Sequence, residues 1–219
     1  MDPSGWNAQD EPLPERIAHG LARISIALRH RAWQEGNQQG LTPTQGQVLA
    51  FLRFRPGNMA SVAAIADALA VTMPTASDVI SALETKGLIT RRRSTTDRRQ
   101  RIVALTSAGQ QAAEVVASWP DFLSTAITQL APDEQQVLWR LLLKVIRTLQ
   151  ERGEIPVAQM CLTCRYFRPF VHADPKRPHH CAYVDAPFGD GSLRLDCPDY
   201  QRADPDLAEL NWQTFSRRR

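Results

Sequence analysis

At 219 residues, with 43% hydrophobic and 22% charged residues, the chain has room for one well-cored domain and a small accessory module, and its balance excludes a disordered polymer. A formal net charge of +3 is too small to name a partner by itself. No apolar run approaches the roughly 20 residues that cross a bilayer, and the polar start MDPSGWNAQDEPLPER is unlike a signal peptide; a cytoplasmic location is expected, where four cysteines point to metal or redox chemistry before disulfides.

Residues 1–12 read as a flexible lead-in. From about Pro14, Ile17, Leu21, Ile24 and Leu28 recur at the spacing of one helical face, and this helix should end near Gly36 or Gly40. A second helix opens at Thr42-Pro43, an N-cap residue followed by proline at the first helical position, turns Val48, Leu49 and Leu52 inward, and stops before Pro56-Gly57. Residues 61–89 then predict a short helix over 62–69, a tight connection, and a further helix after Thr72. That helix would bury Met73, Ala76, Val79, Ile80 and Leu83, present Thr75, Asp78, Ser81 and Thr85 outward, and end at Lys86-Gly87. Two short helices with a polar outer face on the second describe a helix-turn-helix.

After Gly87 the period changes. Residues 88–91 and 102–106 are short and rich in β-formers, so they predict a two-stranded ribbon, or wing. The turn between them, RRRSTTDRRQR over 91–101, holds six arginines against one aspartate, an electrostatic footprint for a polyanion. Ser107 is expected to cap a long helix bent or interrupted at Pro120. A last helix starts at Pro132-Asp133-Glu134, with Val137, Leu138, Leu141, Leu142, Val145, Ile146 and Leu149 on a stripe too wide and apolar for water; it predicts a dimer contact made together with the first helix. The fold class expected is mainly α (α+β), a winged helix-turn-helix with long dimerisation helices over 13–153, a small irregular cysteine-rich module over 154–203, and a tail over 204–219.

On this reading the outer face of helix 73–86 would read base edges through Thr72, Thr75 and Ser77 near its entry, with Asp78 and Ser81 further along. Arg99 at the wing tip is a candidate for a narrow minor groove, braced by Asp97. Arg91, Arg92, Arg98 and Arg101 would neutralise phosphates and make affinity salt-dependent.

Residues 14–150 resemble the MarR family of winged-helix transcription regulators. The resemblance rests on Leu83-Glu84-Thr85-Lys86-Gly87-Leu88-Ile89, on the wing Asp97-Arg98-Arg99-Gln100-Arg101, on Leu105-Thr106-x-x-Gly109 opening the next helix, and on helix order and lengths. It implies an obligate homodimer, joined by its terminal helices, that binds a pseudo-palindromic operator on double-stranded DNA. Asp78 departs from the pattern, since many members carry a basic residue near there. The resemblance also implies organic ligands between the dimer helices and the DNA-binding lobe, where Trp33, Phe51 and Trp119 are candidates; ordinary core packing is the preferred reading for all three.

Beyond Gly153 and Pro156 the chain changes character, with prolines, few helix formers and little periodic apolar pattern. A segment of this size needs a staple, and Cys161-x2-Cys164-x16-Cys181-x15-Cys197 supplies one, with His172, His179 and His180 between. Zinc takes four thiolates, or three and a histidine, yet zinc ribbons bring two Cys-x-x-Cys knuckles and here the second pair is split by 15 residues. An iron–sulfur cluster accepts dispersed loop ligands, often with proline after the last cysteine, as in Cys197-Pro198. The cluster is preferred over zinc. The histidines are expected to be polar surface or supporting residues, and Tyr166, Phe167, Phe170, Tyr183 and Phe188 to shield the metal and dock the module. The tail, with Leu207, Leu210 and Trp212, could pack as a short helix on the partner subunit or trail toward DNA.

The function expected is therefore a dimeric regulator, a repressor, whose DNA affinity is set by the cysteine-bound centre. The alternatives are a regulator sensing an organic ligand beside a structural zinc, and a redox or electron-transfer protein. No Ser-His-Asp order, phosphate-binding glycine loop or carboxylate pair supports catalysis.

Overall fold

The computed structural model describes residues 11–93, 101–156 and 158–217. The first two helices are α1 (Leu13–Gln38) and α2 (Pro43–Arg53). Thr42 caps α2 reciprocally: its hydroxyl accepts the Gln45 N–H at 3.3 Å while the Gln45 side-chain oxygen accepts the Thr42 N–H at 3.1 Å. Gly46 lets α2 lie directly against Trp119, whose ring a Cβ at that position would approach to 2.4 Å.

β1 (Met59–Ser61), α3 (Val62–Ala68) and α4 (Met73–Thr85) follow. Ser61 caps α3 and Thr72 caps α4, each hydroxyl accepting the N–H three residues on. Ile65, Ile80 and Leu83 turn inward onto Leu49, Leu52, Ile89 and Val103, forming one core, and Ala66 and Ala76 are buried as well. Met73 is not part of that stripe. It is 49% exposed at the first turn of α4, where the helix has not yet reached the core.

The wing is β2 (Ile89–Arg93) and β3 (Arg101–Leu105), antiparallel, with Ile89 opposite Leu105 and Arg93 opposite Arg101. It carries a third strand that the ribbon reading lacked: β1 pairs with β3, giving the order β1-β3-β2. Three residues between the Pro56–Asn58 turn and α3 are too few to show a period of two.

Thr106, not Ser107, caps α5 (Ser107–Ala117): its hydroxyl accepts the Gly109 N–H at 3.0 Å. Gly109 lies so near the Leu88 carbonyl that a Cβ would sit 1.8 Å from its oxygen, which explains the glycine of Leu-Thr-x-x-Gly. The helix breaks at Ser118–Pro120 before α6 (Asp121–Ile127).

α7 (Pro132–Glu151) buries Leu143, Arg147 and Gln150, while Val137, Leu141 and Val145 remain 46–50% exposed. The buried side packs on the C-terminal module, which consists of a three-stranded antiparallel meander, β4 (Phe167–Arg168), β5 (His179–Cys181) and β6 (Ala186–Phe188), and α8 (Pro205–Arg217). Leu143 of α7 and Phe215 of α8 join Met160, Leu162, Phe167 and Leu193 in a second core. So this segment has a core of its own, assembled by borrowing a face of α7 and folding the tail back onto its own chain. Among the described residues, no single helix is long and apolar enough to cross a membrane.

Candidate functional site

Two features are built on this frame. The first is the polar face of α4 with the strands beside it. Thr72, Thr75, Asp78 and Ser81 are exposed along that face, and Ser77 is half-buried in a groove shared with Ser61, Met73, Arg91 and Arg101. Thr72 and Thr75 hydroxyls are 2.9 Å apart. The Ser81 hydroxyl donates to the Ser77 carbonyl at 2.7 Å and accepts from the Arg91 guanidinium. Arg91 also holds Glu84, side chain to carboxylate at 3.0 Å and backbone N–H to carboxylate at 3.2 Å. It is thus a strut from wing to α4, which the sequence did not reveal because Glu84 and Arg91 belong to different elements.

Arg92 reaches the Met59 sulfur at 2.9 Å, across the sheet toward β1. Arg93 and Arg101 face each other directly across the antiparallel ladder. Like charges so placed repel, and a polyanion relieves the repulsion. Asp97, Arg98 and Arg99 lie outside the described residues.

The second feature is a cavity of about 190 Å³ lined by all four cysteines, Cys161, Cys164, Cys181 and Cys197, together with Tyr166, Tyr183, Arg194 and Asp199. Short-range bonding delivers each cysteine. Cys161 opens a 3-10 turn (Cys161–Thr163) that closes with the Cys164 N–H on the Cys161 carbonyl at 2.9 Å. Cys181 ends β5 opposite Phe167. The Cys197 N–H donates to the Gln159 carbonyl at 2.9 Å, and the Cys161 N–H to the Arg194 carbonyl at 3.0 Å, which laces the last loop to the first.

Cys161 also accepts at its sulfur from the Arg194 N–H at 3.2 Å, and the Arg194 guanidinium stands 3.9 Å from the Cys197 sulfur. Burial pushes the Cys161 thiol up to about 11, the Arg194 N–H opposes this, and the neighbouring Cys197, Cys164 and Cys181 add to the rise. A cation at the centre would reverse the mutual repulsion of the thiolates. Among the described residues, no three His, Cys, Asp or Glu side chains close on one point as a single ion requires. All four cysteines are free thiols, with no disulfide joining them. The Tyr183 hydroxyl is pushed up by the Asp199 carboxylate to which it is hydrogen bonded.

The histidines separate. His179 is fully buried among Phe167, Phe170, Phe188 and Phe215, so of the two expected placements, surface or supporting, the surface one does not hold for it. Its Nδ1 accepts the Phe170 N–H at 3.3 Å, and its Nε2 is 2.7 Å from Asp190. His172 and His180 pair at 3.2 Å on the partly exposed side, with Asp185 3.2 Å beyond His180. Of the aromatics, Phe167, Phe170, Phe188 and Tyr166 pack in the second core; Phe167, Phe188, Tyr166 and Tyr183 also line the cavity, where the two tyrosine rings meet at a tilt, centroids 5.3 Å apart. Trp119 is core, Trp33 is 48% exposed, and Phe51 lines a cleft below the wing lobe together with Arg55.

A helix-turn-helix followed by an arginine-bearing β-ribbon defines a winged-helix domain. Residues 39–100 match the model of the MarR family. The chain is 28% identical to MepR of S. aureus in its DNA complex (TM-score 0.54, covering 60% of this chain and 97% of that one) and 29% identical to MepR in its DNA-binding conformation (TM-score 0.56, 61% and 98%). AbsC of Streptomyces coelicolor, a MarR family transcriptional regulator, shares the fold at 22% identity (TM-score 0.55, 66% and 99%). No curated protein matches the chain. The winged-helix part of this chain is thus similar to MarR-family regulators in sequence over residues 39–100 and in fold over the lobe. Because those structures are covered almost entirely yet span only 60–66% of this chain, the remaining third has no counterpart in them.

Proposed function

We propose that the chain is a homodimeric repressor that binds a pseudo-palindromic operator, and that an iron–sulfur cluster held by Cys161, Cys164, Cys181 and Cys197 sets its affinity. MepR, to which it is similar, was captured on DNA. The DNA-facing assignment follows from the exposed Thr72, Thr75 and Asp78 on α4 and from the opposed Arg93 and Arg101. Ser77 and Ser81 line the same face, Arg91 braces it, and Arg92 and Arg101 sit where phosphates would pass. Asp97, Arg98 and Arg99 complete the wing by sequence. The exposed apolar faces of α1 and α7 supply the dimer contact, to which we return below.

One observation carries the metal assignment: four cysteines from three separate loops and strands line a single cavity. Four thiolates drawn from dispersed loops suit an iron–sulfur cluster, whereas zinc ribbons bring two Cys-x-x-Cys knuckles and here the second pair is split by 15 residues. When bound, such a cluster supplies sensitivity to iron, oxygen or redox state. Arg194, by hydrogen bonding and charge at two of the sulfurs, would favour the more negative, thiolate-rich state of the site. Purification without air, with iron, sulfide and zinc determined per chain, tests the reading. A brown protein containing iron and acid-labile sulfide is expected. A colourless protein with one zinc per chain would replace the cluster by a zinc site, and stripping that leaves DNA affinity unchanged would end the regulatory reading.

A further inference from the structure

A cleft of about 740 Å³ lies between the winged-helix lobe and residues 153–156 and Gln159, which lead into the cysteine module. Arg55 spans it. Its Nη1 donates to the Gln159 side-chain oxygen at 2.6 Å, its Nη2 stands 3.6 Å from Asp196, and its guanidinium stacks 4.3 Å over the Phe51 ring. Both partners flank cysteines. Asp196 precedes Cys197 directly, and Gln159 lies two residues before Cys161 and accepts the Cys197 N–H through its own carbonyl.

On the other side Arg55 is fixed to the DNA-binding lobe. Its N–H donates to the Leu52 carbonyl at the end of α2, and its carbonyl accepts the Asn58 N–H in the turn that leads to β1. β1 pairs along β3, the second strand of the wing. A shift of the two cysteine loops therefore has a short path, through one side chain, to the base of the wing. The charge pair itself adds little to stability, because Asp196 is about half exposed. What Arg55 contributes is a fixed distance between the end of α2 and the two cysteine loops.

We infer that Arg55 couples the cysteine site to the DNA-binding lobe, holding the wing in one position when the site is filled and releasing it when the Gln159 and Cys197 loops relax. This rests on the metal-controlled reading above. It asks for two positions of one element, biased from both sites, rather than spatial proximity alone.

The test uses the full chain prepared without air, before and after stripping by a chelator, on a fluorescent duplex selected from a random-sequence pool. The readout is the ratio of the two dissociation constants. For the wild type a ratio of about tenfold or more is expected, within the usual range of allosteric coupling. Arg55→Ala should retain the wild-type metal content and the stripped-form affinity, with its ratio collapsing toward one. Should Arg55→Ala fold poorly or lose metal, Gln159→Ala removes one acceptor and no charge, and its ratio should fall several-fold. A wild-type ratio well above one that persists undiminished in these variants overturns the role of Arg55 while leaving metal control standing. A wild-type ratio of one removes metal control and this link together.

Discussion

Buried between phenyl rings, the His179 imidazole has each nitrogen committed by a neighbour. Nδ1 accepts the Phe170 N–H, which leaves the ring hydrogen on Nε2 to donate to Asp190, whose other oxygen lies 3.5 Å from Arg140 on α7. The chain His179–Asp190–Arg140 thereby ties β5, and with it Cys181, to α7. Replacing His179 by leucine fills the volume but takes from Asp190 the ring N–H that it accepts at 2.7 Å. An unsatisfied buried group costs about 1–3 kcal/mol, so His179→Leu should lower the urea midpoint of unfolding clearly. Asp190→Asn keeps an acceptor for His179 and loses only charge toward Arg140, and it should cost less. Equal losses in the two variants, or none, would show that the hydrogen bonds do not anchor the strand. Neither residue was legible as an anchor in the sequence. His179 stands in a His-His-Cys run suggestive of ligands or surface, and the acid that pairs with it comes from a turn eleven residues on, brought near only by the meander.

At the scale of elements, the helices were legible where local chemistry dictates them. Thr42-Pro43, Thr72 and Gly87 mark helix starts and a stop that depend on residues within four positions. What local pattern could not supply was the partner of each face. The apolar stripe read on α7 as a dimer contact leaves Val137, Leu141 and Val145 uncovered, as such a contact needs, but it omitted Leu143, and both Leu143 and Ile146 pack against the cysteine module, because periodicity finds apolar residues without saying which neighbour covers them. β1 escaped because three residues show no period, and the tail, read as a short helix on a partner or trailing toward DNA, forms α8 on its own chain. The four cysteines were legible as a set, and the structure brings them to one cavity; Arg55, which bridges to their loops, carries no sequence signal because its partners are more than a hundred residues away.

The wing gives a prediction with two signs. Arg93 and Arg101 sit opposite each other on neighbouring strands, an arrangement that costs about 0.2–1 kcal/mol in the absence of an anion and gains when phosphate lies over both. Arg93→Ala should therefore raise the melting temperature slightly, weaken DNA binding, and reduce the slope of log affinity against log salt by about one. Thermal unfolding and a salt titration on the same duplex check both signs. A variant that loses stability, or keeps the full salt slope, places Arg93 away from phosphate.

The whole molecule is organised around α7, which faces two ways. One side, through Trp139, Leu143, Ile146 and Arg147, holds the cysteine module: the Trp139 indole donates to the Leu193 carbonyl at 3.0 Å, and Arg147 lies over Trp212 of α8. The other side leaves Val137, Leu141 and Val145 exposed in a row at helical spacing, and α1 leaves Leu13, Ile17, Leu21 and Ile24 exposed at 40–64%. Two long helices with uncovered apolar stripes are unstable in water alone, and the module cannot cover them because it already occupies the opposite face of α7. A second copy of the chain, offering the same stripes, can. Dimerisation and the cysteine module thus use separate sides of one helix. Leu141→Glu places a charge on the uncovered stripe without touching Leu143 or the cavity. It should give a monomer by sedimentation velocity, retain the wild-type metal content, and lose about a hundredfold or more in affinity for a two-half-site duplex, since each copy then binds one half-site alone. A variant that remains dimeric would locate the contact elsewhere, and a monomer that has also lost its metal would show that the two faces of α7 are not independent.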